Sequence, residues 1–285
     1  MVQETDVELA DGRRLHVYDT GRRHADDRLP VVWHHGSPNV GEPPQPLFAP
    51  AQRLGLRWVG YDRPGYGGST ARPGRTIASA ASDVAAIADA LGLDRFIVIG
   101  HSGGAPHALA CAALLPDRVL AAVALSGLAP YGAGGLDWFA GFAEAGATSL
   151  RAATQGRAAR ERYDAEAPDD ADIGFTPGDW EALAGDWSWL LDVVRRAQES
   201  GPGAPIDDDL AGVAPWGFEP ADITAPVLIA HGGLDRMVPS SHAVWLARRI
   251  PSAELWLRPD DGHITILRCG EAALTWAQAK ARARL

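Results

Sequence analysis

The sequence predicts an α/β protein: a mostly parallel central sheet with helices on both faces and a helical insertion. Three observations carry this expectation. Short, nearly continuous apolar runs alternate with stretches of helical periodicity, the pattern of strands buried on both faces. Several of these runs close on glycine. Residues 130–220 break the rhythm, with helix-like stretches such as DWEALAGDWSWLLDVVRRAQES and no clear strand. The 285 residues suffice for one large domain carrying such an insertion.

The elements follow in chain order. DVELADGRRLHVYDTG holds two alternating runs around Asp11-Gly12, a hairpin signal because Asp-Gly tolerates positive φ. PVVWHHG (30–36) is a buried strand, followed by a Pro-rich loop, SPNVGEPPQPLFAP. LRWVGYD (56–62) is another strand, and DRPGYGGS after it is a turn cluster. In 76–92, Ile77, Ala80, Ala81, Val84, Ile87, Ala88 and Leu91 fall at helical spacing, and Gly92 stops the helix. RFIVIG (95–100) is a strand, and GGAPHALACAALLP (103–116) a helix with Pro106 in its first turn, where proline is tolerated. VLAAVALSG (119–127) and PVLIAHGG (226–233) are strands, PSSHAVWLARRI (239–250) a helix and AELWLRP (253–259) a short strand. EAALTWAQAKARAR (271–284) closes the fold as a helix with basic residues in its last turns, which suits the helix dipole. The domain expectation is a core of 1–129 and 221–285 under a helical cap of 130–220.

Composition narrows the function. The formal charge of −10 argues against nucleic acid and anionic membranes, which carry the same sign. No apolar run reaches the roughly 18 residues that span a bilayer. The opening residues carry neither a basic nor an apolar region of a signal peptide. Two cysteines, Cys111 and Cys269, fit a reducing cytoplasm and lack the spacing of a metal site. We therefore expect a cytoplasmic protein with a small-molecule substrate and neither metal nor cofactor. Charge is uneven: residues 130–220 hold 17 Asp and Glu against six Arg, and five of the ten tryptophans. The acidic run Asp207–Asp209 lies in a Gly/Pro-rich stretch and reads as a solvated connection rather than a metal site.

In a parallel sheet, ligands bind beyond the carboxyl ends of the strands. There the chain places Gly100-His101-Ser102-Gly103-Gly104, a Gly-x-Ser-x-Gly pattern between strand and helix. Glycines two positions before and after the serine let a sharp turn hold it exposed and strained. A serine hydroxyl is a weak nucleophile at neutral pH and needs a base, itself oriented by an acid. Asp235 follows the strand PVLIAHGG, and His263 follows AELWLRP. Ser126-Gly127, after VLAAVALSG, offers no carboxylate, which leaves Asp235 as the acid. Asp260 and Asp261 stand too close to His263 and suit a turn. His101 neighbours the serine but points away, His107 falls within a helix, and His242 begins one, at the surface. His34 and His35 face opposite sides of a strand, which excludes a joint metal site. Oxyanion donors fall to the backbone N–H of Gly103 and of Ser37 in His34-His35-Gly36-Ser37-Pro38. Trp138, Phe142 and Trp187 are the aromatic candidates for the substrate pocket.

HHGSP (34–38), YDRPGYGGS (61–69), GHSGG (100–104), HGGLDRMVP (231–239) and DGHI (261–264) together resemble the α/β-hydrolase superfamily. The likeness covers all but 130–220. It implies Ser102 as nucleophile, Asp235 as acid, His263 as base, and Ser37 with Gly103 as the oxyanion hole. Serine at the elbow separates the chain from the haloalkane dehalogenase and epoxide hydrolase branches, which use aspartate there. The expected activity is hydrolysis of a small, largely apolar carboxylic ester or related acyl compound. Prolyl iminopeptidases also carry acidic caps, which bind a free amine, but their elbow has tryptophan where this chain has Gly103. Cofactor-free perhydrolases share the triad. A ligand receptor or a lyase on the same fold remains a reading from another class.

Overall fold

The computed structural model describes residues 2–21, 26–168 and 171–285. The chain opens with β1 (Gln3–Glu8) and β2 (Arg14–Asp19), paired antiparallel around Gly12 at φ 82°. The Asp11-Gly12 turn thus takes the left-handed backbone that glycine makes available. Then come β3 (Leu29–His34), α1 (Phe48–Arg53), β4 (Leu56–Tyr61), α2 (Ser79–Ala90), β5 (Phe96–His101), α3 (Ala105–Leu114) and β6 (Val119–Leu125). Helix α1 lies where the sequence reads as a Pro-rich loop. Its Pro50 sits in the first turn, where no intrahelical N–H is required, so proline does not break it.

Between β6 and β7 the described residues form five helices: α4 (Glu144–Thr154), α5 (Arg157–Glu166), α6 (Pro177–Ala184), α7 (Trp189–Gln198) and α8 (Gly203–Val213). Among the described residues this stretch holds no strand. The chain ends with β7 (Val227–Gly232), α9 (Ser241–Arg249), β8 (Ala253–Arg258) and α10 (Gly270–Arg282).

The eight strands form one sheet in the order β1-β2-β4-β3-β5-β6-β7-β8, parallel from β4 to β8. Strand periodicity divides the core. Val32 and Val98 face a layer containing Ile87 of α2, Leu109 of α3 and Leu246 of α9. Val31, Ile97 and Ile99 face the other layer, with Ala51 of α1, Leu274 of α10 and Leu190 of α7. Fully buried apolar strands of this kind gain most of their stability from area removed from water. The parallel strands run with their carboxyl ends on one edge, where the loops after β3, β5, β7 and β8 meet. No helix among the described residues is long and apolar enough to cross a membrane.

Two expectations need correction here. Residues 207–209 are not a loop but the middle of α8, and Asp207 and Asp208 are buried. Each of the three pairs with arginine: Asp207 with Arg157, Asp208 with Arg63 and Arg75, Asp209 with Arg160. A buried carboxylate is tolerated where it is paired and hydrogen-bonded. His242 begins α9 as expected but is buried, not exposed. It links the Ala129 N–H (3.1 Å) to the Trp138 carbonyl (3.0 Å).

Candidate active site

The elbow after β5 is set by sterics. A Cβ on Gly100 would run into the Gly104 carbonyl, and a Cβ on Gly104 into the His34 carbonyl. Between them Ser102 adopts φ 54°, a left-handed backbone that costs a non-glycine residue about 1–2 kcal/mol. A turn this tight delivers the serine side chain to the edge of the sheet. A Cβ on Gly36 would lie 3.5 Å from Ser102 Cβ, and one on Gly103 2.7 Å from Ser37 Oγ. The loops after β3 and β5 therefore bring Ser37, Gly103 and Ser102 side by side.

The loops after β7 and β8 bring Asp235 and His263 together. Their Oδ2 and Nδ1 atoms are 2.8 Å apart, and both residues are buried. Asp235 Oδ1 accepts the N–H groups of Met237 (3.0 Å) and Val238 (2.9 Å). His231 approaches Oδ2 at 3.4 Å while its Nε2–H donates to the Val238 carbonyl at 2.8 Å. Burial would raise the Asp235 pKa, but facing His263 and His231 it is held well below the ordinary carboxylate range. It is thus ionised and oriented, as an acid partner of a histidine base must be. Ser102 and His263 both face a cavity of about 270 Å³, which also touches Ser37 and His101.

His263 is braced from several sides. His101 Nε2–H donates to its carbonyl at 3.0 Å, with ring centroids 5.0 Å apart. Burial and the neighbouring His263 push His101 down to about 3, so it stays neutral. Phe175 lies nearly parallel to the His263 ring at 6.2 Å.

The Ser37 loop is held from the insertion. Asp208 of α8 accepts hydrogen bonds from Ser37 Oγ, from Tyr66 OH (2.7 Å) and from Arg63 Nη2 (2.7 Å). Arg63 also donates to the carbonyls of His35 and Gly36 and to Ser37 Oγ. Arg75 Nη1 stands 2.7 Å from Asp208 Oδ1. Burial opposes the charge on Asp208, but the two arginines hold its pKa well below the usual range. No spacing in the sequence marks this cluster. Arg63 and Tyr66 lie in the YDRPGYGGS motif, but their acid partner Asp208 is 145 and 142 residues away.

The 270 Å³ cavity is lined mostly by apolar side chains, among them Leu183, Leu190, Val194 and Ile264. Exposed Ile173, Trp180 and Leu191 also line it, so they form its mouth. A second cavity of about 160 Å³ also touches Ser102, with Phe142, His107, Ser149 and Asp209 in its wall. Phe142 thus shares a cavity with the serine, whereas Trp138 and Trp187 line neither cavity that touches it. Trp138 is buried, donates to the Ala129 carbonyl at 2.9 Å and stacks behind Phe142. Trp187 lines a separate open cleft with Pro46, Pro50 and Leu267. Their apolar rings are taken up by packing, which spacing alone does not distinguish from a pocket. His34 and His35 do part company, as strand alternation requires. His34 Nε2 approaches Cys111 Sγ (3.6 Å), and His35 Nε2 accepts the Arg63 N–H (3.0 Å). Among the described residues no group of three or more His, Cys, Asp or Glu is placed to hold a metal ion.

Residues 30–268 match the profile of a family described as "alpha/beta hydrolase fold". The chain is 30% identical over 259 residues to a Caulobacter protein assigned as a carbamate hydrolase, covering 84% of this chain and 85% of that one. It is 38% identical over 128 residues to a non-heme chloroperoxidase of Streptomyces lividans, a match spanning 44% of this chain and only 45% of that protein. In three dimensions it is similar to an esterase from Thermogutta terrifontis, with a TM-score of 0.68 and 22% identity over 99% of this chain and 98% of that one.

Proposed function

The chain belongs to the α/β-hydrolase fold family, and on that premise we propose that it is a serine hydrolase that cleaves a small, largely apolar carboxylic ester through an acyl-enzyme. One observation carries the reading: the buried Asp235–His263 contact of 2.8 Å, with His263 lining a cavity that Ser102 also lines. Ser102 Oγ attacks the ester carbonyl while His263 takes its proton. The Ser37 and Gly103 amides receive the developing oxyanion, where donors fixed in advance are worth most. His263 returns the proton to the leaving alcohol. Water, deprotonated by His263, then attacks the acyl carbon, and the acyl–Oγ bond breaks as His263 returns that proton to Ser102 Oγ and the acid leaves. Asp235 holds the imidazole tautomer and stabilises the imidazolium. Residues 130–220 act as the cap of a core formed by 1–129 and 221–285.

Cavity size and lining support the substrate class. About 270 Å³ holds roughly nine water volumes, which suits a short acyl or alkoxy group. Its walls offer Leu183, Leu190, Val194 and Ile264 to an apolar chain. The acidic segment does not favour an amine substrate, because Asp207, Asp208 and Asp209 already face arginines. The likeness to a chloroperoxidase favours a second reading, in which hydrogen peroxide replaces water at the acyl-enzyme and the product is a peracid.

A panel of p-nitrophenyl esters from acetyl to octanoyl, run on the wild type and Ser102→Ala, tests the proposal. Turnover of short and medium chains that vanishes in Ser102→Ala supports it. Turnover surviving in Ser102→Ala overturns it, and a ligand receptor would show none at all. Peracid formed on addition of peroxide distinguishes the second reading.

A further inference from the structure

Asp179 is the third residue of α6, in the insertion, yet its carboxylate reaches the loop that carries His263. Oδ2 accepts the His263 N–H at 3.2 Å, and Oδ1 accepts those of Ile264 (2.9 Å) and Thr265 (2.8 Å). Three successive amides thus converge on one carboxylate, the geometry of a backbone anion nest. Thr265 Oγ1 also donates to Oδ1 (3.1 Å) and accepts the Gly262 N–H (2.6 Å). On its own side Asp179 closes a capping box, accepting the N–H and Oγ1–H of Thr176 at 2.9 Å each. The residue is completely buried. Burial opposes its charge, but the amides of Thr176, Thr265 and Ile264 outweigh this and hold the carboxyl below its ordinary value. A Cβ on Gly262 would run into the carboxylate, so glycine beside the histidine is what allows so close an approach.

We propose that Asp179 is a positioning residue for catalysis, fixing from the insertion the backbone on which the His263 base stands. The inference rests on the reading of His263 as base. His263 is held at Nδ1 by Asp235, at its carbonyl by His101 and at its N–H by Asp179. Asp235 orients the ring, but only the backbone anchors decide where the ring begins. The same short helix places Trp180 and Leu183 in the wall of the apolar cavity. One element of the insertion therefore shapes the space for substrate and sets the base beside it. Removing the carboxylate leaves three buried amides without their acceptor, and the loop must move to find others.

The test is Asp179→Asn, which keeps size but offers one acceptor in place of two and turns an amide donor toward the nest. With a p-nitrophenyl ester, kcat per folded molecule falls about 10- to 100-fold, the range for a small misplacement of a catalytic group. KM changes little, because the cavity wall remains. The rate of fluorophosphonate labelling of Ser102 falls in parallel, and the downfield proton resonance of the His263–Asp235 hydrogen bond broadens or disappears. A role in stability alone lowers Tm and leaves all three unchanged per folded molecule, and that result overturns the proposal. If Asp179→Asn does not fold, Asp179→Glu keeps the charge but shifts the two acceptor oxygens away from the His263, Ile264 and Thr265 amides by one methylene. Its kcat and labelling rate are then read in the same way, with unchanged values overturning the proposal. A wild type that is not labelled at Ser102 instead overturns the assignment of the triad.

Discussion

Asp208→Asn is the perturbation whose magnitude the structure defines best. Asp208 and Arg63 have side chains only 6% and 1% exposed, and Arg75 is 2% exposed. The substitution keeps the shape but leaves two buried guanidinium groups without an anion. Breaking a buried pair from one side costs about 3–5 kcal/mol, because the remaining charge is uncompensated. Asparagine retains one acceptor for Tyr66 or Ser37, which places the expected loss near the lower end, about 3 kcal/mol. At about 2–3 °C per kcal/mol for a chain of this size, Tm falls by about 6–9 °C. Thermal unfolding followed by circular dichroism at pH 7 reads the shift. The pH dependence gives a second, independent check. The folded pKa of Asp208 lies well below its unfolded value of about 3.9. Its contribution is therefore complete above that value and is lost as pH falls toward the folded pKa. The gap in stability between wild type and variant stays constant from pH 8 to about 5 and narrows below about 4. A Tm shift under about 2 °C at pH 7, or a gap that widens in acid, refutes the account of the Asp208 cluster.

Other outcomes follow from the same structure. Gly104→Ala brings a Cβ onto the His34 carbonyl although its φ of −80° suits any residue, so the loss of Tm and of Ser102 labelling is purely steric. Val194→Phe fills part of the apolar cavity; kcat/KM for octanoyl esters drops about tenfold or more while acetyl esters lose far less, as a titration of chain length shows. An aminoacyl ester and its N-acetylated form give equal kcat/KM, because the buried aspartates of α8 are already paired with arginines; a clear preference for the free amine contradicts this.

The central sheet was legible because β3 to β7 are apolar on both faces and punctuated by glycine. The elbow was legible for a related reason: Gly100 and Gly104 are demanded by backbone contacts local to the turn. Asp235 and His263 stand out because each lies in a short loop just past the end of a strand, and the structure brings their side chains into contact. Pairing across long separations leaves no such mark in the sequence. Asp179 meets the His263 amide over 84 residues and Asp208 meets Arg63 over 145, and neither pair has a periodicity to betray it. The run Asp207–Asp209 looked solvated because three adjacent acids and flanking Gly and Pro favour a loop. Arginines from Arg63, Arg75, Arg157 and Arg160 override that local preference. The aromatic candidates divided for a similar reason. Phe142 and Trp138 are four residues apart and stacked, yet only the outer ring reaches the cavity.

The most direct test of the catalytic reading is covalent labelling of Ser102. A fluorophosphonate probe should add once per molecule, on the peptide containing Ser102, and abolish ester hydrolysis in proportion to labelling. Ser102→Ala should take up no probe and lose hydrolysis by several orders of magnitude, as in other triads. Hydrolysis that survives full labelling, or that persists in Ser102→Ala, contradicts the account.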